Sequence, residues 1–271
     1  MISVIMGVYN NEKTVEKAVL SILNGTFKDL EFVIVDDGST DSTFEVLEKL
    51  ASENERVRLL KNDSNKGLAY SLNRCLEEAK GEYIARQDAD DVSAPNRLEA
   101  ELEFLTSHPE LSFVGTAAKL VDETGRVWGT RFFPEEVTED VVVKYNPFIH
   151  PTMLFKAEAL KKVGGYRDTK HTLRCEDYDL IFRLYGENLK GGNLNKMLLD
   201  YYESTDSFYR HTFRTRLNEA YVRRHGSVKI HRALKGFVYS FKPILLAFVS
   251  KRTYNRLHND KWQTEEAQKE E

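Results

Sequence analysis

The first hundred residues alternate between two hydrophobic periods. Ile2–Val8 is a short apolar run, and Leu30–Val35 is a near-continuous one, the pattern of a strand buried on both faces. Between them, Glu12–Leu23 places Val15, Ala18, Val19, Ile22 and Leu23 at helical spacing. Ser42–Ser52 repeats that pattern with Phe44, Val46, Leu47 and Leu50, and Val57–Leu60 returns to a short strand. Gly67–Ala79 reads as a helix stopped by Gly81, Tyr83–Arg86 as a strand, and Pro95 opens a helix running to about Ser107. The order β-α-β-α-β-α-β-α predicts an α/β fold, Rossmann-like, with a mostly parallel central sheet flanked by helices.

The pattern then loosens. Leu111–Val121 and Val127–Phe133 read as strands, and Thr138–Tyr145 as a helix capped by Thr138. Thr152–Phe155 is strand-like, Ala157–Val163 is a short helix ended by Gly164 and Gly165, Glu176–Tyr185 is helical, and Met197–Tyr202 is a strand. Beyond it the chain reads as helical and basic, and no internal repeat is visible.

In open α/β sheets ligands bind beyond the carboxyl ends of the strands. Tyr9, then Asp36-Asp37-Gly38-Ser39-Thr40-Asp41, then Asp88-Ala89-Asp90-Asp91 follow three of the strands. Two carboxylates one residue apart suit Mg²⁺ or Mn²⁺, which take a few carboxylates plus substrate phosphate oxygens. An EF-hand is excluded, because the position that needs glycine holds Ser93 or Ser42. Asp36 and Asp37 end a buried strand, so their carboxylates require donors. Thr40 and Asp41 are placed to cap the next helix. Glu176, Asp177 and Asp179 crowd the first turn of a helix, where the dipole favours them and where a carboxylate base could take a hydroxyl proton.

These segments, with NKGLAYSLN (65–73), PNRLE (95–99), HPTMLF (150–155), GGYRD (164–168) and CEDYDLIFRL (175–184), resemble glycosyltransferase family 2 in order and content, from the first strand to about Tyr202. The resemblance implies the A-type fold and an inverting, metal-dependent enzyme that moves a sugar from a nucleotide diphosphate to a hydroxyl. Carried over by position, it puts Tyr9 at the donor, Asp37 on the nucleobase (a uracil in the usual pattern) with Asp36 in support, and Asp88 on the ribose or a metal-bound water. Asp90 becomes the metal ligand with Asp91 beside it. Asp177 becomes the base, Glu176 shapes the acceptor side, and His150 and Asp91 are acceptor-side candidates. The cofactor is Mn²⁺ or Mg²⁺, the donor a UDP-sugar, and the acceptor a glycan or lipid-linked sugar of bacterial surface-polysaccharide assembly. Many relatives carry Tyr-Arg-His just after the last strand; here it falls late, at 209–211, which makes Arg210 and His211 weaker candidates.

Charge adds one feature. The net charge is −4, yet Phe208–Trp262 holds 13 Lys and Arg against Glu219 and Asp260. The expected organisation is a catalytic domain at 1–205, with donor half about 1–110 and acceptor half about 111–205, a basic amphipathic extension at 206–262 and a polar tail at 263–271. The extension suits an anionic membrane surface, the catalytic domain or the second copy of a homodimer. Apolar clustering of its aromatics argues against nucleic acid. The absence of a signal segment or a long apolar run gives an expected location in the cytoplasm, peripheral at the inner face of the membrane. Cys75 and Cys175 read as free thiols. A nucleotidyltransferase would place a glycine-rich loop where Gly7-Val8-Tyr9-Asn10-Asn11 stands. A non-catalytic subunit retaining the fold is the other alternative.

Overall fold

The computed structural model describes residues 1–203, 212–250, 252–255 and 262. The elements run β1 (Ile2–Val8), α1 (Val15–Leu23), β2 (Leu30–Asp36), α2 (Thr43–Glu53), β3 (Val57–Lys61), α3 (Leu68–Glu78), β4 (Tyr83–Arg86), β5 (Val92–Ser93), α4 (Arg97–Ser107), β6 (Leu111–Val121) and β7 (Val127–Arg131). They continue with α5 (Glu139–Lys144), a 3₁₀ turn (His150–Thr152), β8 (Leu154–Lys156), α6 (Ala157–Val163), α7 (Glu176–Gly186), β9 (Lys190–Tyr202), α8 (Phe213–Lys229), α9 (Ala233–Tyr239) and α10 (Phe241–Leu246).

All strands join one sheet in the order β3-β2-β1-β4-β8-β6-β9-β5, with β7 on β6. β3, β2, β1 and β4 are mutually parallel. β8 joins β4 and β6 antiparallel, and β6 runs parallel to β9. The first half of the chain thus forms a doubly wound unit whose strand order reverses between β1 and β4, the position where such sheets leave a crevice. Alternate residues of β1 feed opposite cores. Ile2, Val4, Met6 and Val8 pack with α1, α2 and α4, while Ile5 packs with α3 and α7 on the other face. Both faces are covered, which is why these strands read as continuous apolar runs.

Four local expectations change. α4 starts at Arg97 with Asn96 as N-cap, so Pro95 lies outside it. Thr138 takes the N-cap position of α5 with extended backbone, but its hydroxyl makes no capping bond. His150 lies in the 3₁₀ turn rather than at the head of a strand. The last strand also begins seven residues early, at Lys190. Lys190-Gly191-Gly192-Asn193 reads locally as a turn, but a Cβ on Gly191 would fall 2.1 Å from the Phe113 ring, so the glycine lets β9 lie tight on β6.

Of the basic extension, α8 packs on the catalytic body. Val222 joins the α7 core, and Gly226 leaves room for Phe182. Tyr209, Arg210 and His211 lie outside the described residues. Among the described residues no helix is long and apolar enough to cross a membrane, and both cysteines are free and buried.

Candidate active site

The site is assembled at the carboxyl ends of β1, β2 and β4. Asn10, with left-handed backbone at φ 53°, turns the chain out of β1 and accepts from Thr40 N at 2.8 Å. Asn11 N donates to Thr43 Oγ1 at 2.7 Å, and Asp41 accepts from Thr43 N at the start of α2. These bonds lock the loops after β1 and β2 together and leave Tyr9 exposed at the mouth. Ser42 takes the N-cap position of α2, with no side-chain capping bond; Asp41 instead bonds Thr43 from just outside the helix, and Thr40 serves the loop contact.

Asp36 is fully buried. Its Oδ2 accepts from Ser39 N at 3.1 Å, and its Oδ1 has no partner among the described residues. Asp37, 3% exposed, accepts from Asn62 Nδ2 (2.6 Å), Lys66 N (2.9 Å) and Gly67 N (2.8 Å). A carboxylate offers about four acceptor sites, so Asp37 ties down the 62–67 loop and keeps capacity for one further donor. It lines a cavity of about 350 Å³ together with Tyr9, Lys66, Arg167 and Arg174.

Asp88, Asp90 and Asp91 bring carboxylate oxygens within 4.8 Å of one another. The loop is held from beneath: Gln87 Nε2 donates to the carbonyls of Asp88 (3.0 Å) and Asp91 (2.9 Å). Arg97, on α4, donates to Gln87 Oε1 (3.1 Å), Arg86 O and Pro151 O. Buried Arg86 pairs with Asp88. Asp91 is 1% exposed; Oδ1 accepts from Tyr202 N at 2.8 Å, tying the loop to β9. Its Oδ2 has no partner among the described residues. Burial, then the charges of Asp88 and Asp90, pushes the Asp91 carboxyl well above the usual range. Three crowded carboxylates with an orphaned oxygen fit a hard divalent cation. Asp91 therefore sits under the acidic cluster rather than on the open acceptor wall.

Opposite the cluster, α7 begins with Glu176 and Asp177. Asp177 accepts from Asn146 Nδ2 and from Tyr178 N, each at 2.8 Å. Burial raises its pKa, opposed by the Tyr178 N–H, the charge of Arg86 and the Asn146 amide. Glu176 is pushed up to about 7 by burial and by the charge of Asp177. Asp88, Asp90, His150, Glu176 and Asp177 line one cleft of about 780 Å³. His150 Nε2 meets Tyr166 Oη at 2.8 Å, and burial, then Arg86, holds the imidazole well below its ordinary pKa. Tyr9, Leu68, Arg174 and Glu176 line both this cleft and the smaller cavity at Asp37, so the two spaces adjoin.

The family model of glycosyl transferase family 2 matches residues 3–164, the span that carries β1, Asp37 and the acidic cluster. The chain belongs to that family. It is 38% identical over 258 residues to a putative glycosyltransferase, EpsE, of Bacillus subtilis (strain 168), covering 95% of this chain and 92% of the relative. It is 26% identical to the Escherichia coli UDP-Glc:alpha-D-GlcNAc-diphosphoundecaprenol beta-1,3-glucosyltransferase WfaP, covering 90% and 94%. In fold it is similar to a mannosyltransferase of Pyrobaculum calidifontis, solved with GDP-Man and Mn²⁺, at TM-score 0.68 and 17% identity, covering 96% of this chain and 79% of that one.

Membership in this glycosyltransferase family makes the remaining arrangement readable. Several residues escape motif reading. Asn146 comes from the irregular stretch after α5 and reaches Asp177 across 31 positions. Arg86 had one signal, a charge closing an apolar strand. Arg97 sits in the quoted PNRLE block, where nothing local reveals that it reaches the acidic loop. Arg174 has left-handed backbone at φ 66° just before α7, a conformation that is unfavourable for a side-chain-bearing residue and collects at functional positions.

Proposed function

We propose that this glycosyltransferase moves a sugar from a UDP-sugar to a hydroxyl of a glycan or lipid-linked acceptor in surface-polysaccharide assembly, with inversion at the anomeric carbon. The adjoining of the two spaces carries the reading: a nucleoside-sized cavity at Asp37 opens past Tyr9 and Arg174 into a cleft flanked by the acidic cluster and Asp177.

In this reading Tyr9 covers the donor, and Asp37 uses its remaining acceptor capacity on the uracil imide N–H, held in place by Asp36 and the 62–67 loop. Asp88 meets the ribose, and Asp90 with Asp88 holds Mn²⁺ or Mg²⁺, with Asp91 supporting the loop beneath. The ion, when bound, neutralises charge on the diphosphate leaving group. Arg174 lies where the two spaces meet and supplies a further positive charge there. Asp177, oriented by Asn146, takes the acceptor hydroxyl's proton as the oxygen attacks in line. One base suffices for inversion; a retaining route requires a second, nucleophilic carboxylate across the sugar. Glu176 shapes the acceptor side, and neutral His150, fixed by Tyr166, lines it. The name of WfaP, which specifies UDP-glucose and a lipid-diphosphate sugar, supports the donor and acceptor class. The Mn²⁺ in the mannosyltransferase complex supports the metal. Such a chain works at the cytoplasmic face of a membrane, on a catalytic unit spanning 1–205.

Asp177→Asn tests the assignment. The expected result is loss of transfer by about 10²–10⁴-fold with donor affinity unchanged. Unchanged turnover removes Asp177 from the mechanism, and no turnover in either protein favours the non-catalytic subunit.

A further inference from the structure

Helix α8 is apolar on both sides. Its inward face buries Arg216, Asn218 and Arg223 beside Ala220 and Val222, whereas Phe213, Leu217 and Tyr221, one turn apart, are exposed together with Val228. A surface helix of a globular protein ordinarily keeps its outer face polar. The inward polar groups are paired apart from Arg223 Nε, which has no partner among the described residues. Glu219 pairs with Arg223 at 2.7 Å and with Arg216 at 3.7 Å; Arg223 also donates to Lys144 O, and Asn218 to Leu173 O. These contacts fix α8 on the catalytic body and leave its apolar stripe outward.

The next two helices extend that stripe. Leu234 is 80% exposed, Leu245 67% and Phe248 78%. Ring contacts tie neighbouring parts of it together: Phe213 meets Phe248 at 6.3 Å and Phe237 meets Phe241 at 5.2 Å. Arg214, Arg224, Lys229 and Lys242 are exposed on the same helices, and Arg252 is exposed just beyond them. Glu219, the lone acid from 212 to 255, is turned inward.

We infer that this face lies on an anionic phospholipid surface. Large apolar side chains beside exposed cations match an acyl–headgroup boundary of negative potential. A two-fold pairing with a second copy would set the same cations against themselves. α9 and α10 have seven and six residues, so they lie along the boundary rather than cross it. The chain beyond them returns to the cleft, which Tyr254 and Trp262 line. A membrane-held protein would therefore receive a lipid-linked acceptor beside its own attachment face. The attachment does not depend on the donor chemistry.

Flotation of the full chain with phosphatidylglycerol–phosphatidylethanolamine vesicles, against phosphatidylcholine vesicles, is the test. Binding to the anionic vesicles alone is expected, weakening between about 50 mM and about 500 mM salt. The doubly substituted Leu234→Glu/Phe248→Glu protein should lose about tenfold or more of it. Its thermal midpoint and its nucleotide-sugar hydrolysis in vesicle-free solution should stay at wild-type values, since both side chains stand in solvent. Failure of the unsubstituted chain to float with anionic vesicles overturns the inference, whatever the variant does. So does flotation indifferent to lipid charge or to the substitutions, or a dimer in sedimentation that the same pair abolishes without any vesicle binding. Hydrolysis in solution reads the transferase chemistry separately, so either claim can fail alone.

Discussion

Burial raises the pKa of Asp177 and prevails over the backbone N–H of Tyr178, the charge of Arg86 and the Asn146 amide, which favour its charged form. A base must be ionised to act, so activity falls as pH drops through its pKa. Because that pKa is raised, the acidic limb of kcat/KM should lie above the value near 3.9 of a solvated aspartate. Asn146→Ala removes a donor to the ionised form, raises the pKa further and should move the limb to higher pH; a pH profile with an unmoved limb contradicts this. Asp90→Asn should weaken metal binding while leaving the fold intact, read as a rise in the metal concentration needed for half activity. The carboxylates were legible in sequence because each closes a strand or opens a helix, where side chains reach the sheet's end whatever the tertiary detail. Asn146, Arg86 and Arg174 were not, since their value comes from meeting residues far along the chain or from backbone angles that no local pattern encodes.

At the scale of elements, two supports decide whether the site exists. The turn after β2 holds Gly38 at φ +73°, and a Cβ there would fall 2.8 Å from the backbone of Ser64. Gly38→Ala should cost about 1–3 kcal/mol in urea unfolding and weaken nucleotide binding, because the 62–67 loop that Asp37 grips must shift. The second support is Arg97, whose guanidinium joins α4 to the ends of β4 and the 3₁₀ turn and pairs with fully buried Glu101 at 3.5 Å. Arg97→Met strands that carboxylate and three acceptors, and should cost about 3–5 kcal/mol; a midpoint within error of the parent protein would contradict the account. The hydrophobic periods located the helices and the longer strands of the first half within two or three residues, because both faces of that sheet are buried, but not β5 (Val92–Ser93), which at two residues is too short to carry a period. They missed the first half of β9, where Gly191 and Asn193 serve tight packing on Phe113 and bonds to Pro134 O and Pro147 O rather than a turn.

For the whole molecule, the parallel order of β3, β2, β1 and β4 followed from the alternation of strand and helix. The antiparallel insertion of β8 between β4 and β6 did not, because nothing in a three-residue strand announces its neighbours. That insertion joins the two halves of the sheet, and Asp177 at the start of α7 lines the same cleft as Asp88 and Asp90. The account stands on that cleft receiving a nucleotide sugar with a divalent ion. The most direct measurement is calorimetric titration of UDP-, GDP- and dTDP-sugars with Mn²⁺, Mg²⁺ or EDTA, paired with nucleotide release. A metal-dependent preference for one UDP-sugar, with binding and release abolished by EDTA and restored by the ion, is the expected result. A folded protein that binds no nucleotide sugar in the presence of either metal would contradict the account.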